Sequence, residues 1–121
     1  MSDVISTLLL RNLTEVFGEG DPHRRKAAIA ELYSQDCAVF LPIGRYDGHE
    51  ALDRIAGELR AGHPSFVYTP HRAPQVAQNG GIVYWGSGLP GEPPAYTGVD
   101  VITVRDDRIA TLYVFLDSPP P

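Results

Sequence analysis

The chain has 121 residues, ten Lys and Arg against fifteen Asp and Glu, and a net charge of −5. One domain of this size buries about two-thirds of its unfolded surface, and its acidic balance, with no basic run beyond Arg24-Arg25-Lys26, speaks against a nucleic-acid partner. No apolar run approaches the roughly twenty residues of a membrane helix, and no signal peptide is legible. The single Cys37 leaves no internal disulfide and reads as an inert strand thiol, so a soluble cytoplasmic protein is expected.

Ile5, Leu8, Leu9, Leu13, Val16 and Phe17 recur at helical spacing over Asp3 to Phe17. Ser2 and Asp3 can cap this helix, and Gly18 and Gly20 end it. Asp21-Pro22 starts a second helix, whose face of Ala27, Ala28, Ile29, Leu32 and Tyr33 runs through to Ser34. Cys37 to Leu41 reads as a short strand closed by Pro42, and Ile43 to Gly48 as a turn or short hairpin. His49 to Arg60 carries Leu52, Ile55, Ala56 and Leu59 on one helical face.

From Pro64 onward the chain reads as strand. Phe66 to Ala77 is long, with Pro70 and Pro74 arguing for an edge position or bulges. Asn79-Gly80-Gly81 reads as a hairpin turn before Ile82 to Ser87. A proline-stiffened loop, Gly88 to Pro94, leads to Tyr96. Two alternating runs then flank the polar turn Arg105-Asp106-Asp107-Arg108 and close the sheet as a hairpin. Helices first and antiparallel strands second make an α+β domain over residues 1–117, followed by a proline-rich tail, 118–121.

Asp100 stands out in that hairpin, a carboxylate between Val99 and Val101 in a segment otherwise suited to burial. Such a group is costly unless it is paired, hydrogen-bonded or protonated. It reads either as an acid/base with a raised pKa or as a structural aspartate. His71, between Pro70 and Arg72, is a second proton-transfer candidate, or a solvated histidine on an edge strand. Trp85 reads as a stacking wall for a flat ligand or as a core residue. The four histidines, His23, His49, His63 and His71, show no paired metal-ligand spacing. No Ser-His-Asp set, phosphate loop or glycine fingerprint stands out, so neither a metal nor a cofactor is expected.

The element order, with the segments Glu31 to Gly44, Tyr46 to Leu52, Gly98 to Ile102 and Arg108 to Asp117, resembles the SnoaL-like proteins of the nuclear transport factor 2-like, or ketosteroid-isomerase-like, superfamily. The resemblance implies a cone-shaped fold, in which three N-terminal helices pack on a strongly curved, mainly antiparallel sheet around an apolar pocket. In SnoaL-like cyclases a single aspartate acts as acid and base, which the resemblance implies Asp100 or Asp117 could be. Asp100 and, from its own side-chain chemistry, His71 are the catalytic candidates. Leu13, Phe17, Tyr33, Leu41, Ile55, Tyr68 and Trp85 would meet a small apolar or aromatic ligand. Leu41 stands where ketosteroid isomerases carry their general base, so steroid-type isomerisation is not expected. Val99, Val101 and Thr103 on one face oppose Ile102 and Val104 on the other, leaving a sheet face to be covered. In this superfamily a second subunit often covers it, so a homodimer is expected. Two functions fit: a cofactor-independent isomerase, cyclase, lyase or hydrolase, or a non-catalytic ligand-binding or accessory module.

Overall fold

The first helix does not run as a plain α-helix to its glycine stop. In the computed structural model, which describes the backbone of residues 2–117 and the side chains of 4–117, α1 (Ser2–Arg11) continues as a π-helical segment, Asn12–Phe17. The caps expected of the Ser2 and Asp3 side chains, and the tail 118–121, lie outside the described residues. A π-helical turn is wider than an α turn and is common at functional sites. Here Asn12, Leu13, Val16 and Phe17 are all buried.

Helix α2 (Pro22–Leu32) starts as expected, with Asp21 accepting from the Arg24 N–H at 3.1 Å. It ends two residues before Ser34, because Tyr33 turns extended and pairs with Ile109. Strand β1 therefore spans Tyr33–Leu41 rather than starting at Cys37. Cys37 is fully buried, and burial pushes its thiol pKa up. Strand β2 (Gly44–Asp47) pairs back on β1, and α3 (Gly48–Gly62) follows from a positive-φ Gly48. Between α2 and α3 the buried Arg25 donates from Nε to Asp53 at 2.8 Å and from Nη1 to the Glu19 carbonyl at 3.0 Å. Gly57 makes room for it, since a Cβ there would stand 2.8 Å from Nη2.

The run Phe66 to Ala77 is broken into β3 (Val67–Pro70) and β4 (Gln75–Ala77), both antiparallel to β5 (Gly80–Gly88). Pro70 closes β3, and Pro74 precedes β4, where neither needs to supply a ladder donor. The hairpin between β4 and β5 turns on Gln78-Asn79, one position earlier than the sequence pattern suggests. Gly80 and Gly81 belong to β5. A Cβ on Gly81 would lie 2.5 Å from Ile5 Cγ2, so this glycine serves the approach of α1. The closing hairpin of β6 (Tyr96–Arg105) and β7 (Arg108–Leu116) turns on Asp106 and Asp107, both at positive φ. That geometry follows the strand twist, and aspartate tolerates it.

The sheet runs β2-β1-β7-β6-β5-β3, with β4 also on β5, and is antiparallel except where β1 meets β7. It is curved, and the three helices pack on one face to form the α+β cone anticipated from the sequence. Gly98, Asp100 and Ile102 of β6 face inward, opposite Leu116, Val114 and Leu112 of β7. On the other face Phe40 stacks on Tyr113 at 4.4 Å, and Phe115 is 54% exposed. No helix among the described residues is long and apolar enough to cross a membrane.

Candidate functional site

Between the helices and the inner face of the sheet lies a cavity of about 340 Å³. The π-helical segment supplies Leu13 and Phe17, and the end of β1 and the turn after it supply Leu41, Pro42 and Ile43. Leu59, Glu58 and His63 come from α3 and its C-terminus, Tyr68 and Trp85 from β3 and β5, and Tyr96, Val114 and Leu116 from β6 and β7. The Trp85 ring meets Tyr68 edge-on at 5.1 Å and Tyr96 edge-on at 5.9 Å, so three aromatic residues form one wall. Asp100 also faces this cavity.

The Asp100 carboxyl is 3% exposed and is held at both oxygens. Trp85 Nε1 donates to Oδ1 at 2.8 Å, and Asn12 Nδ2 donates more weakly to Oδ2 at 3.4 Å. The Asn12 amide is oriented in turn by the buried Tyr33 hydroxyl, which donates to Asn12 Oδ1 at 2.5 Å. Trp85 reaches Asp100 because its ring lies across Gly98 of the next strand. A Cβ there would approach the indole to 2.7 Å. Every donor to Asp100 is neutral, and no cation pairs with it among the described residues.

Burial raises the Asp100 pKa from 3.8 to about 7, while the Trp85 and Asn12 hydrogen bonds pull it down. Desolvation wins because the partners bring dipoles rather than charge. Burial, with the nearby Asp100 charge, also raises the Tyr33 hydroxyl well above its ordinary value. Tyr68 rises likewise, by burial and its neighbour Tyr96. Both phenols therefore stay protonated near neutrality. Asp100 can then carry or give up one proton near neutral pH inside an apolar space, which suits an acid/base.

Of the residues singled out from the sequence, Asp100, Trp85, Tyr68, Leu13, Phe17 and Leu41 line the cavity. Tyr33 lies behind its floor and reaches Asp100 only through Asn12. Ile55 is packed into the core and does not line the cavity. His71 is exposed and lines a separate shallow groove with Thr69 and Glu92, so the structure does not bring it to Asp100. Being held at the sheet edge, where its N–H donates to the Tyr84 carbonyl, fixes it there. Asp117 sits at the exposed end of β7, accepting from the Thr97 hydroxyl at 2.8 Å. Among the described residues no three His, Cys, Asp or Glu side chains converge as a metal site needs.

Asn12 escaped the sequence reading because one polar residue after Arg11 looks like a solvent face. Its position four residues after Leu8 and four before Val16 was the available signal, since that spacing puts it on the buried stripe.

The fold recurs in solved structures. A candidate isomerase of the SnoaL-like family from Agrobacterium tumefaciens superposes with a TM-score of 0.87 at 19% identity, over 96% of this chain and 99% of the other. A candidate ketosteroid isomerase from Kribbella flavida gives 0.72 at 21% identity, over 98% of this chain and 84% of the other. A candidate polyketide cyclase from Sinorhizobium meliloti gives 0.66 at 21%, over 94% of each chain. At such identities these likenesses establish the fold alone. No curated protein matches the chain. The model of the SnoaL-like domain, however, matches residues 10–112, from the last residue before Arg11 to the middle of β7. The chain belongs to the SnoaL-like domain family.

Proposed function

We propose that this protein takes a small apolar or aromatic molecule into the cavity, and that Asp100 acts on it as a cofactor-independent acid/base. Isomerisation, cyclisation, elimination and hydrolysis are all compatible with such a group. One observation carries the reading: a carboxyl with neutral partners only, its pKa raised to about 7, faces an apolar cavity. As carboxylate it would take a proton from a substrate carbon or hydroxyl, and as acid it would return one to another atom. Tyr68, kept protonated by burial, is one hydroxyl donor on the same wall.

The test is uptake of solvent deuterium by small apolar ketones and aminoketones, followed by NMR in D2O. Uptake should rise as pH passes through about 7 and fall by roughly 10²- to 10⁴-fold in Asp100→Asn. A second reading, a binding or accessory module without turnover, is favoured by the apolar Leu41 at the cavity wall and by the distance of His71 from it. Saturable binding with no deuterium uptake by the native protein would select it.

The apolar outer face, with Tyr113 and Phe115 exposed beside Phe40, supports a homodimer packed sheet to sheet. Light scattering should give twice the chain mass, and Phe115→Asp should bring it to the monomer. A native protein that stays monomeric would end this proposal.

A further inference from the structure

Among the described residues two carboxylates and no Lys or Arg line the cavity: Asp100 on its floor and Glu58 at the side of α3. The other ionisable groups facing it are His63, Tyr68 and Tyr96. Behind Asp100 stand Asn12 and Tyr33, which bring no cation either. An anionic ligand, such as a carboxylate or a phosphate ester, would thus enter an apolar space lined by two carboxylates and by no Lys or Arg among the described residues. Such placement is unfavourable in a low dielectric.

An ionised Asp100 has a different deficiency. A carboxylate offers about four acceptor sites, and Trp85 and Asn12 each supply a single N–H. Elsewhere in this chain the buried charge of Arg25 is met by the opposite charge of Asp53 at 2.8 Å. In the cavity no side chain plays that part among the described residues. The Tyr68, Trp85 and Tyr96 wall adds electron-rich rings beside the carboxyl, and aromatic rings attract cations.

We propose that the cavity selects a small hydrophobic amine, bound as its ammonium ion, with the N–H groups on Asp100 and the hydrocarbon body against Trp85, Tyr68 and Leu13. This inference rests on the reading of the cavity as the ligand site, and it holds with or without turnover. The ligand supplies the counter-ion that the fold leaves out. Binding therefore converts Asp100 to the carboxylate and releases its proton to solvent wherever the free protein holds that proton. An ammonium next to a C–H bond also leaves that carbon more acidic, so amine recognition and proton transfer are compatible.

The probes are 2-phenylethylamine, its neutral isostere 2-phenylethanol and the anion 3-phenylpropionate. Trp85 is the only tryptophan, so its fluorescence reports occupancy of this cavity. At about pH 8, where Asp100 is mostly ionised, the amine should bind at least about tenfold more tightly than the alcohol, and the anion most weakly. In Asp100→Asn the preference of amine over alcohol should vanish. Calorimetry of the native protein in buffers of different ionisation enthalpy, at about pH 6, should count close to one proton released with the amine and none with the alcohol. This second measurement stands even if the variant does not fold. Amine and alcohol binding equally, or an amine preference surviving in Asp100→Asn, overturns the inference while leaving the cavity a ligand site. Failure of all three probes to bind overturns both.

Discussion

Two buried charges in this molecule are handled in opposite ways. Between α2 and α3, Arg25 is 6% exposed and meets Asp53 at 2.8 Å, with a backbone carbonyl on a second nitrogen. On the floor of the cavity, Asp100 is equally buried but meets only the neutral N–H groups of Trp85 and Asn12. The first arrangement ties α2 to α3 with the charge already met. The second leaves a carboxyl whose ionisation meets no opposite charge among the described residues, facing the cavity. A buried ion with its counter-ion belongs to the architecture, whereas one without it points to chemistry.

The widest separation between the two should come from pH. Asp100 has a folded pKa of about 7 against an ordinary 3.8, so between these values the folded state holds a proton that the unfolded chain has lost. Its contribution to stability is thus greatest below about pH 4, falls as pH rises to about 7 and is level above that, a loss of roughly 4 kcal/mol at most. Asp100→Asn keeps the shape and removes the ionisation. Urea denaturation at a series of pH values should show the variant gaining on the native protein across this window. Parallel curves for the two proteins would mean that Asp100 ionises without penalty.

Breaking the paired charge should cost stability instead. Asp53→Ala leaves Arg25 buried without its partner, for a loss of about 3 kcal/mol, read as a lower urea midpoint with the cavity intact by Trp85 emission. A smaller effect sharpens the contrast at the cavity itself. Asn12→Leu strands the Tyr33 hydroxyl and removes one donor from Asp100, costing about 1–3 kcal/mol. Because that hydrogen bond pulls the Asp100 pKa down, carboxyl-carbon NMR should find the residue titrating higher in the variant. A lower value would mean that Asn12 does not stabilise the carboxylate.

Much of this arrangement is legible in the one-dimensional pattern. Ile5, Leu8, Leu9, Leu13, Val16 and Phe17 were expected on one helical stripe and are all buried. The Asp106-Asp107 turn and the inward alternation of Asp100 with Ile102 follow from period-two strands flanking a polar pair. These features are local, set by backbone period and turn chemistry within a few residues. The oddity of Asp100 among β-branched neighbours was visible for the same reason.

What the chain pattern leaves open depends on contacts between distant segments. Tyr33 leaves its helix early because β7, some seventy residues later, offers it a partner. Pro70 and Pro74 divide one strand run in two, and Gly81 is a glycine because α1 lies against it. Asp100 and His71 are the first and second proton-transfer candidates in the sequence, and folding puts Asp100 in the cavity and His71 on the exposed edge. The sequence by itself determined the α+β element order, the helical stripes and the presence of a carboxylate that burial would strain. Only the tertiary structure decided that Asn12 and Trp85 reach that carboxylate and that no cation among the described residues does. Hydrogen bonds and counter-ions are short-ranged in space, and their partners here stand 88 and 15 residues away along the chain.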